Sequence, residues 1–105
     1  MKYDLYKSIK GSNGDTIDAL DLDFQALSYI DIKNARKVKA FISEASLGEV
    51  DNATVSPRLD SDLRIGIAWI AAMKTDKRLA INDVLQLSAK DALTLSEVTL
   101  TEYLF

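Results

Sequence analysis

The first 24 residues constrain the fold of this chain more than any other part, because they predict a β-hairpin. Asn13-Gly14 is the turn candidate, since both residues tolerate the positive φ angles of a type I′ turn. With these two residues as the loop, Leu5 lies opposite Leu22 and Tyr3 lies opposite Phe24. The two predicted faces are an apolar one of Tyr3, Leu5, Leu20, Leu22 and Phe24, and a second one of Asp4, Tyr6, Ser8, Asp21 and Asp23. A slip of one residue would mix the two sets, so the turn and the burial pattern predict the same register.

Apolar residues at three- and four-residue steps predict a first helix over about 29–46. Ser28 and Asp31 form a weak capping box at its start, and Gly48 is placed to end it. The predicted buried stripe contains Ile32, Ala35, Val38, Ile42 and Ala45. The basic side chains predicted on the opposite side are those of Lys33, Arg36 and Lys37.

A second helix is predicted over about 58–74, after a loop at 48–57 in which Pro57 takes the first helical position. Gly66 in the middle of this helix costs roughly 1 kcal/mol relative to Ala, so we expect another backbone to approach it closely. The predicted main stripe contains Leu59, Leu63, Ile67, Ile70 and Met73. From Ile65 onward the helix is apolar on nearly all sides, which indicates either a central place in the core or a covering partner.

A short helix over about 82–87 is predicted next, and Ser88 with Asp91 repeats the capping pattern before a final helix over about 89–103. The predicted buried face of the final helix contains Ala89, Leu93, Ser96, Leu100 and Leu104. The sequence therefore predicts one α+β domain, in which a two-stranded β-hairpin (2–24) packs on a bundle of three to four α-helices.

Composition argues against most catalytic and metal-binding classes. The chain contains no histidine and no cysteine, so the usual general base, the thiol nucleophile and the common zinc ligands are missing. An acidic series fails the spacing of a calcium-binding loop and is interpreted as a solvated face: Asp15, Asp18, Asp21 and Asp23. We expect no catalytic, cofactor-binding or metal-binding residues.

Charge and hydropathy limit the classes of partner. A net charge of −3 argues against a dedicated nucleic-acid binder, and the longest uncharged run, 65–73, is far short of a membrane span. No apolar leader follows Lys2, so we expect no signal peptide, and the absence of cysteine fits a protein of the reducing cytosol. A basic run is interpreted as a solubilising surface, with a small regulatory nucleic-acid-binding protein as the alternative: Lys33, Arg36, Lys37 and Lys39.

The chain has more apolar residues than one stripe per helix requires. The predicted partner-binding residues are Ile65, Trp69, Ala72, Leu100, Tyr103, Leu104 and Phe105. The alternative is that Tyr103, Leu104 and Phe105 close the core of the domain itself.

Three blocks of sequence together resemble one known family. These are the hairpin ending in Leu20-Asp21-Leu22-Asp23-Phe24 before a capped helix, the apolar helix over 63–73, and the segment Ile81-Asn-Asp-Val-Leu85-Gln-Leu87-Ser-Ala-Lys-Asp91-Ala-Leu93. In this order, over nearly the whole chain, they resemble the small tail assembly chaperones of contractile-tailed bacteriophages and related prophages.

The resemblance implies a non-enzymatic role. Proteins of this family are made in the cytoplasm of the infected host, bind the long helical tape measure protein, and help the tail tube protein polymerise around it. They are absent from the mature virion. A minor structural component of the phage tail is the alternative, and self-association through the apolar surface is a further expectation.

Overall fold

The computed structural model describes residues 1–46, 56–58 and 60–105 of the chain. Its elements, in chain order, are β1 (Lys2–Lys10), β2 (Thr16–Asp21), a 3₁₀ turn (Phe24–Ala26), α1 (Tyr29–Ala45), α2 (Ser61–Thr75), a short 3₁₀ helix (Ile81–Gln86) and α3 (Ala89–Glu102). The two strands form an antiparallel hairpin, and helices follow it. The predicted α+β fold class, an N-terminal hairpin followed by a helical bundle, is confirmed.

The hairpin turn differs from the predicted two-residue loop. Lys10 pairs with Thr16, so the loop comprises the five residues 11–15. Gly14 has a φ of 86°, but none of the described residues other than glycines has a positive φ. Asn13 therefore lacks the positive φ that the first loop residue of a type I′ turn requires, so the predicted turn is wrong. The loop is bound to the segment after α2, because the amide and the hydroxyl of Ser12 both donate to the Arg78 carbonyl, at 2.7 and 2.9 Å.

The predicted register is also wrong. Tyr3 lies opposite Leu20 rather than Phe24, and the pairing shifts between Asp4 and Ile9, where the four β1 residues 5–8 lie against a single residue of β2. This large bulge leaves backbone amides of β1 without a partner in β2. The sorting of faces nevertheless holds. The apolar set is buried (Leu20, Leu22, Phe24) or half-buried (Tyr3, Leu5), and the second set is exposed (Asp4, Tyr6, Ser8, Asp21, Asp23).

Helices α1 and α2 pack closely. The capping box of Ser28 and Asp31 at the start of α1 is present as predicted. A Cβ built on Gly66 would lie 2.5 Å from the Ala35 carbonyl oxygen, so the expected close approach of another backbone is confirmed. The predicted α1 stripe is buried at Ala35 and Val38, half-buried at Ile32 and Ile42, and exposed at Ala45.

Two ion pairs connect α1 and α2 at opposite ends. The Lys74 ammonium of α2 lies 2.6 Å from the Asp31 carboxylate in the first turn of α1. The Lys39 ammonium of α1 binds the Asp60 carboxylate, which caps the start of α2. Lys74, helped by the Ser28 amide, holds the pKa of Asp31 below its usual range. Each pair therefore joins an N-terminal carboxylate of one helix to a lysine of the other.

The start of α2 lies later than predicted. The helix begins at Ser61, because Asp60 caps it by accepting the Leu63 amide at 3.0 Å. Pro57 lies outside the helix, and the Arg64 guanidinium donates to its carbonyl. The main stripe is buried at Leu63, Ile67 and Ile70 and half-buried at Met73. The predicted helix end at Gly48, the stripe residue Leu59 and positions 48–55 of the predicted loop lie outside the described residues.

The buried face of α3 is rotated from the predicted one. The buried residues are Asp91, Leu95, Ser96 and Thr99. Of the predicted face, only Ser96 is buried, Leu100 and Leu104 are half-buried, and Ala89 and Leu93 are exposed. A buried carboxylate on one side of the helix accounts for the rotation, because Asp91 must face the hydrogen-bond donors of β1.

We predict that Gly66→Ala lowers the free energy of unfolding by about 1–3 kcal/mol, because the added methyl group would push α1 away from α2. Helix propensity alone predicts the opposite sign, a gain of roughly 1 kcal/mol. Urea unfolding followed by circular dichroism measures the change, with the exposed Lys37→Ala of α1 as control. Unchanged or raised stability in Gly66→Ala would contradict the close contact.

Candidate protein-binding surface

The orientation of α3, and with it the surface of the protein, depends on the buried carboxylate of Asp91. Its Oδ1 accepts the Tyr6 amide at 2.8 Å and the Tyr3 hydroxyl at 2.9 Å. Its Oδ2 accepts the Lys7 amide at 3.1 Å and the Ser88 hydroxyl at 2.9 Å. Burial alone would raise the pKa of Asp91, but these hydrogen bonds outweigh it and hold the pKa below its ordinary value.

The three predicted partner-binding residues of α2 lie inside the protein. Trp69 and Ala72 are completely buried, and Ile65 is 6% exposed. The Trp69 indole nitrogen donates to the Ala80 carbonyl at 3.0 Å, so its polar group is satisfied internally. The sequence allowed either a central place in the core or a covering partner for α2, and in the structure α2 lies centrally in the core. Trp69 and Ala72 offer no surface to a partner in this conformation.

The C-terminal residues divide between the core and the surface. The Tyr103 ring stacks on Phe24, with centroids 5.6 Å apart, so Tyr103 helps to close the core. Leu100 and Leu104 are half-buried, whereas Phe105 is 85% exposed. We call Leu100, Tyr103, Leu104 and Phe105 the C-terminal patch.

Arg58 gives the C-terminal patch a cationic edge. Its Nε and Nη2 donate to the Leu104 carbonyl at 3.1 and 2.7 Å. Its guanidinium carbon lies 5.9 Å from the centre of the Phe105 ring, within the range of a cation–π contact. The patch therefore combines an exposed aromatic ring with a positively charged group.

A second apolar surface was missed by sequence reasoning. Leu85 is 46% exposed and Leu93 is 62% exposed, and both line a groove of about 360 Å³. The other described residues that line it are Ile42, Ser61, Asp62, Ile65, Val84, Leu87, Ala89 and Ala92. We call this the groove. The sequence could not reveal it, because the apolar periodicity of α3 assigned Leu93 to the buried face.

The seven predicted partner-binding residues do not form one continuous surface. Ile65 lies at the groove, beside the first turns of α3. The C-terminal patch begins at Leu100, which lies seven residues, or roughly 10 Å along the axis of α3, beyond the groove residue Leu93. The structure thus separates the predicted set into a patch, one groove residue and two core residues.

The charged runs are arranged as the sequence indicates. Lys33, Arg36 and Lys37 are exposed on α1, whereas Lys39 is paired with Asp60. The acidic side chains Asp15, Asp18, Asp21 and Asp23 are exposed on the hairpin. Within residues 1–46, 56–58 and 60–105, no group of three acidic side chains is arranged to hold a metal ion.

None of the described helices combines the length and the apolar character that crossing a membrane requires.

Comparison with known proteins found no match to this chain among protein-family models, curated proteins or solved structures.

We predict that Asp91→Asn lowers the free energy of unfolding at pH 7 by roughly 2–5 kcal/mol, because an amide has one acceptor oxygen for four donors. The folded-state pKa is depressed, so the charged form stabilises the protein above the unfolded pKa of about 3.9. This contribution is lost as the pH falls through the folded-state pKa. The stability difference between wild type and Asp91→Asn should therefore shrink in acid.

Chemical denaturation between about pH 7 and pH 2.5 measures this difference. Asp18→Asn, which changes an exposed carboxylate of β2, is the matched control and should follow the wild-type curve. A gap between wild type and Asp91→Asn that stays constant with pH would show that the carboxylate charge contributes nothing.

Proposed function

We propose that this protein is a tail assembly chaperone of a contractile-tailed bacteriophage or related prophage. In this role it binds the tape measure protein in the host cytoplasm and promotes polymerisation of the tail tube protein. It then leaves, and is absent from the mature virion. The resemblance of three sequence blocks, in order over nearly the whole chain, is the basis for naming the family.

The observation that carries the binding role is the exposed C-terminal patch. The protein closes its core with Trp69, Leu95 and Tyr103, yet leaves Phe105 almost fully in water. Exposed aromatic side chains next to an arginine are typical of protein-binding surfaces. A long helical client with apolar faces would cover such a patch during assembly.

We expect Phe105→Asp to reduce the solubility of the co-expressed tape measure protein several-fold, because it replaces the most exposed aromatic ring of the patch with a charge. Phe105 is exposed, so its replacement should leave the thermal unfolding midpoint nearly unchanged. The measurement is the soluble fraction of the tape measure protein recovered with the chaperone. Tyr6→Asp is the matched control, because Tyr6 is an aromatic residue that is 71% exposed on the hairpin. Equal rescue by Phe105→Asp and wild type would refute the patch as the client-binding surface.

Mass spectrometry of purified phage particles separates the chaperone from a minor tail component. A chaperone that leaves after assembly should be absent from the particles and present in the infected-cell lysate. Stoichiometric recovery of this chain from intact tails would favour the structural alternative and contradict the proposed role.

A further inference from the structure

We propose that the outward face of α1 binds single-stranded nucleic acid. We call this face the α1 surface, and its residues are Tyr29, Ile32, Lys33, Arg36 and Lys37. One base of the strand stacks on the Tyr29 ring, and the phosphates beside it contact the three cationic side chains. The inference goes beyond the proposed function and does not depend on it, because the α1 surface and the C-terminal patch share no residue.

Three positive charges of the α1 surface have no carboxylate partner among the described residues. Lys33, Arg36 and Lys37 are exposed, and none of the ion pairs found in the described part of the chain uses them. The Asp31 carboxylate in the first turn is bound by a lysine of α2 instead. Glu44 lies seven residues beyond Lys37, or roughly 10 Å along the helix axis. Adjacent cations of this kind favour a ligand with several anionic groups in a row, as in a nucleic-acid backbone.

The net charge of −3 is compatible with such a ligand, because the charges of the chain are separated in space. Exposed carboxylates concentrate on the hairpin, at Asp4, Asp15, Asp18, Asp21 and Asp23. At physiological salt the Debye length is about 8 Å, so the charges next to a phosphate matter more than the total charge. The α1 surface is therefore suited to salt-sensitive binding of a short strand rather than tight binding of a long one.

Tyr29 supplies the aromatic group that stacking requires. It is 74% exposed, and the Lys33 ammonium lies 5.3 Å from the centre of its ring. The ammonium approaches one face of the ring, so the opposite face is available to a base. Every base has a π face, so stacking of this kind occurs without a strict sequence preference.

Helical spacing places the ring and the cations side by side. Lys33 and Arg36 follow Tyr29 by four and seven residues, which are about one and two turns of α1. Together with the half-buried Ile32, these three residues line a concave pocket of about 420 Å³. This volume lies in the usual range of sites for small ligands, and no carboxylate is found among the described residues that line the pocket. A base at the ring thus has cations beside it for its phosphates.

The make-up of the α1 surface favours a nucleic acid over a protein partner. A stable protein interface buries roughly 800 Å² on each side, around an apolar centre. The apolar groups available here are Tyr29, the half-buried Ile32 and the neighbouring Ile30, beside three cations. Charge therefore dominates the surface. Cations next to an exposed aromatic ring are the combination with which proteins bind single strands.

Fluorescence anisotropy with the full-length protein and labelled oligo(dT) of about 12 nucleotides tests the proposal. Oligo(U) of the same length distinguishes RNA from DNA as the source of the strand. We expect a dissociation constant of about 1–100 μM at low salt for at least one of them. Each phosphate contact of a single strand contributes about −0.7 to the slope of log K against log salt, so three cations predict a slope of about −2.

Two variants separate stacking from charge. Tyr29→Leu should weaken binding of the single strand about tenfold and leave binding of a duplex unchanged, because paired bases cannot stack on the ring. The double variant Lys33→Gln/Arg36→Gln should reduce the salt slope to about −0.7, because one cation remains. These side chains are exposed, so circular dichroism melts of both variants should match the wild type.

The hairpin and α3 offer a matched control. Tyr6 is 71% exposed, and the Lys90 ammonium lies 4.2 Å from the centre of its ring. This is the same pairing of a tyrosine with a lysine, but outside the α1 surface. The double variant Tyr6→Leu/Lys90→Gln should therefore bind oligo(dT) as the wild type does.

Three outcomes would overturn the proposal. The first is no binding of either oligonucleotide at low salt. The second is binding that neither α1 variant weakens although both are folded. The third is displacement of the oligonucleotide by polyglutamate as readily as by unlabelled oligo(dT), which would identify a site for acidic polypeptides instead. The tape measure assay is independent, because Phe105→Asp does not change the α1 surface.

Discussion

The buried carboxylate of Asp91 is the interaction on which the rest of the structure depends. It is completely buried, and it binds two backbone amides of β1, a tyrosine hydroxyl and the serine that caps α3. A charge in this position is tolerated only because every lone pair of its oxygens can meet a donor. The bulge in β1 and the orientation of α3 depend on each other. The bulge leaves the amides of Tyr6 and Lys7 without partners in β2, and α3 is oriented so that the Asp91 carboxylate accepts hydrogen bonds from both.

The surface of the protein follows from this orientation. With Asp91 turned towards the hairpin, Leu95 and Thr99 enter the core one and two turns later, and Leu93 turns to solvent. The groove exists because Leu93 lies there, beside the short 3₁₀ helix and the start of α2. The C-terminal patch follows as well, because the same rotation brings Tyr103 onto Phe24 and leaves Phe105 outside.

Much of the fold could be predicted from the sequence because its signals are local. Ser28, Asp31 and Ser88 cap helices where the pattern predicts, and Gly66 lies where one backbone approaches another. The faces of the hairpin are sorted correctly although its register is wrong, because side-chain alternation depends on each strand rather than on its partner. The candidate site was less predictable. Apolar character alone does not distinguish a residue that fills the core from one that binds a partner.

The sequence by itself determined the order of the elements, the caps of α1 and α3, and the α+β class. These follow from short-range periodicity and from hydrogen bonds within a few residues. Only the tertiary structure decided the register of the hairpin, the rotation of α3 and which leucines remain in water. Each of these depends on Asp91 meeting amides 84 and 85 residues earlier in the chain, a contact that no local pattern encodes. The groove is a consequence of that long-range contact and of the packing around it.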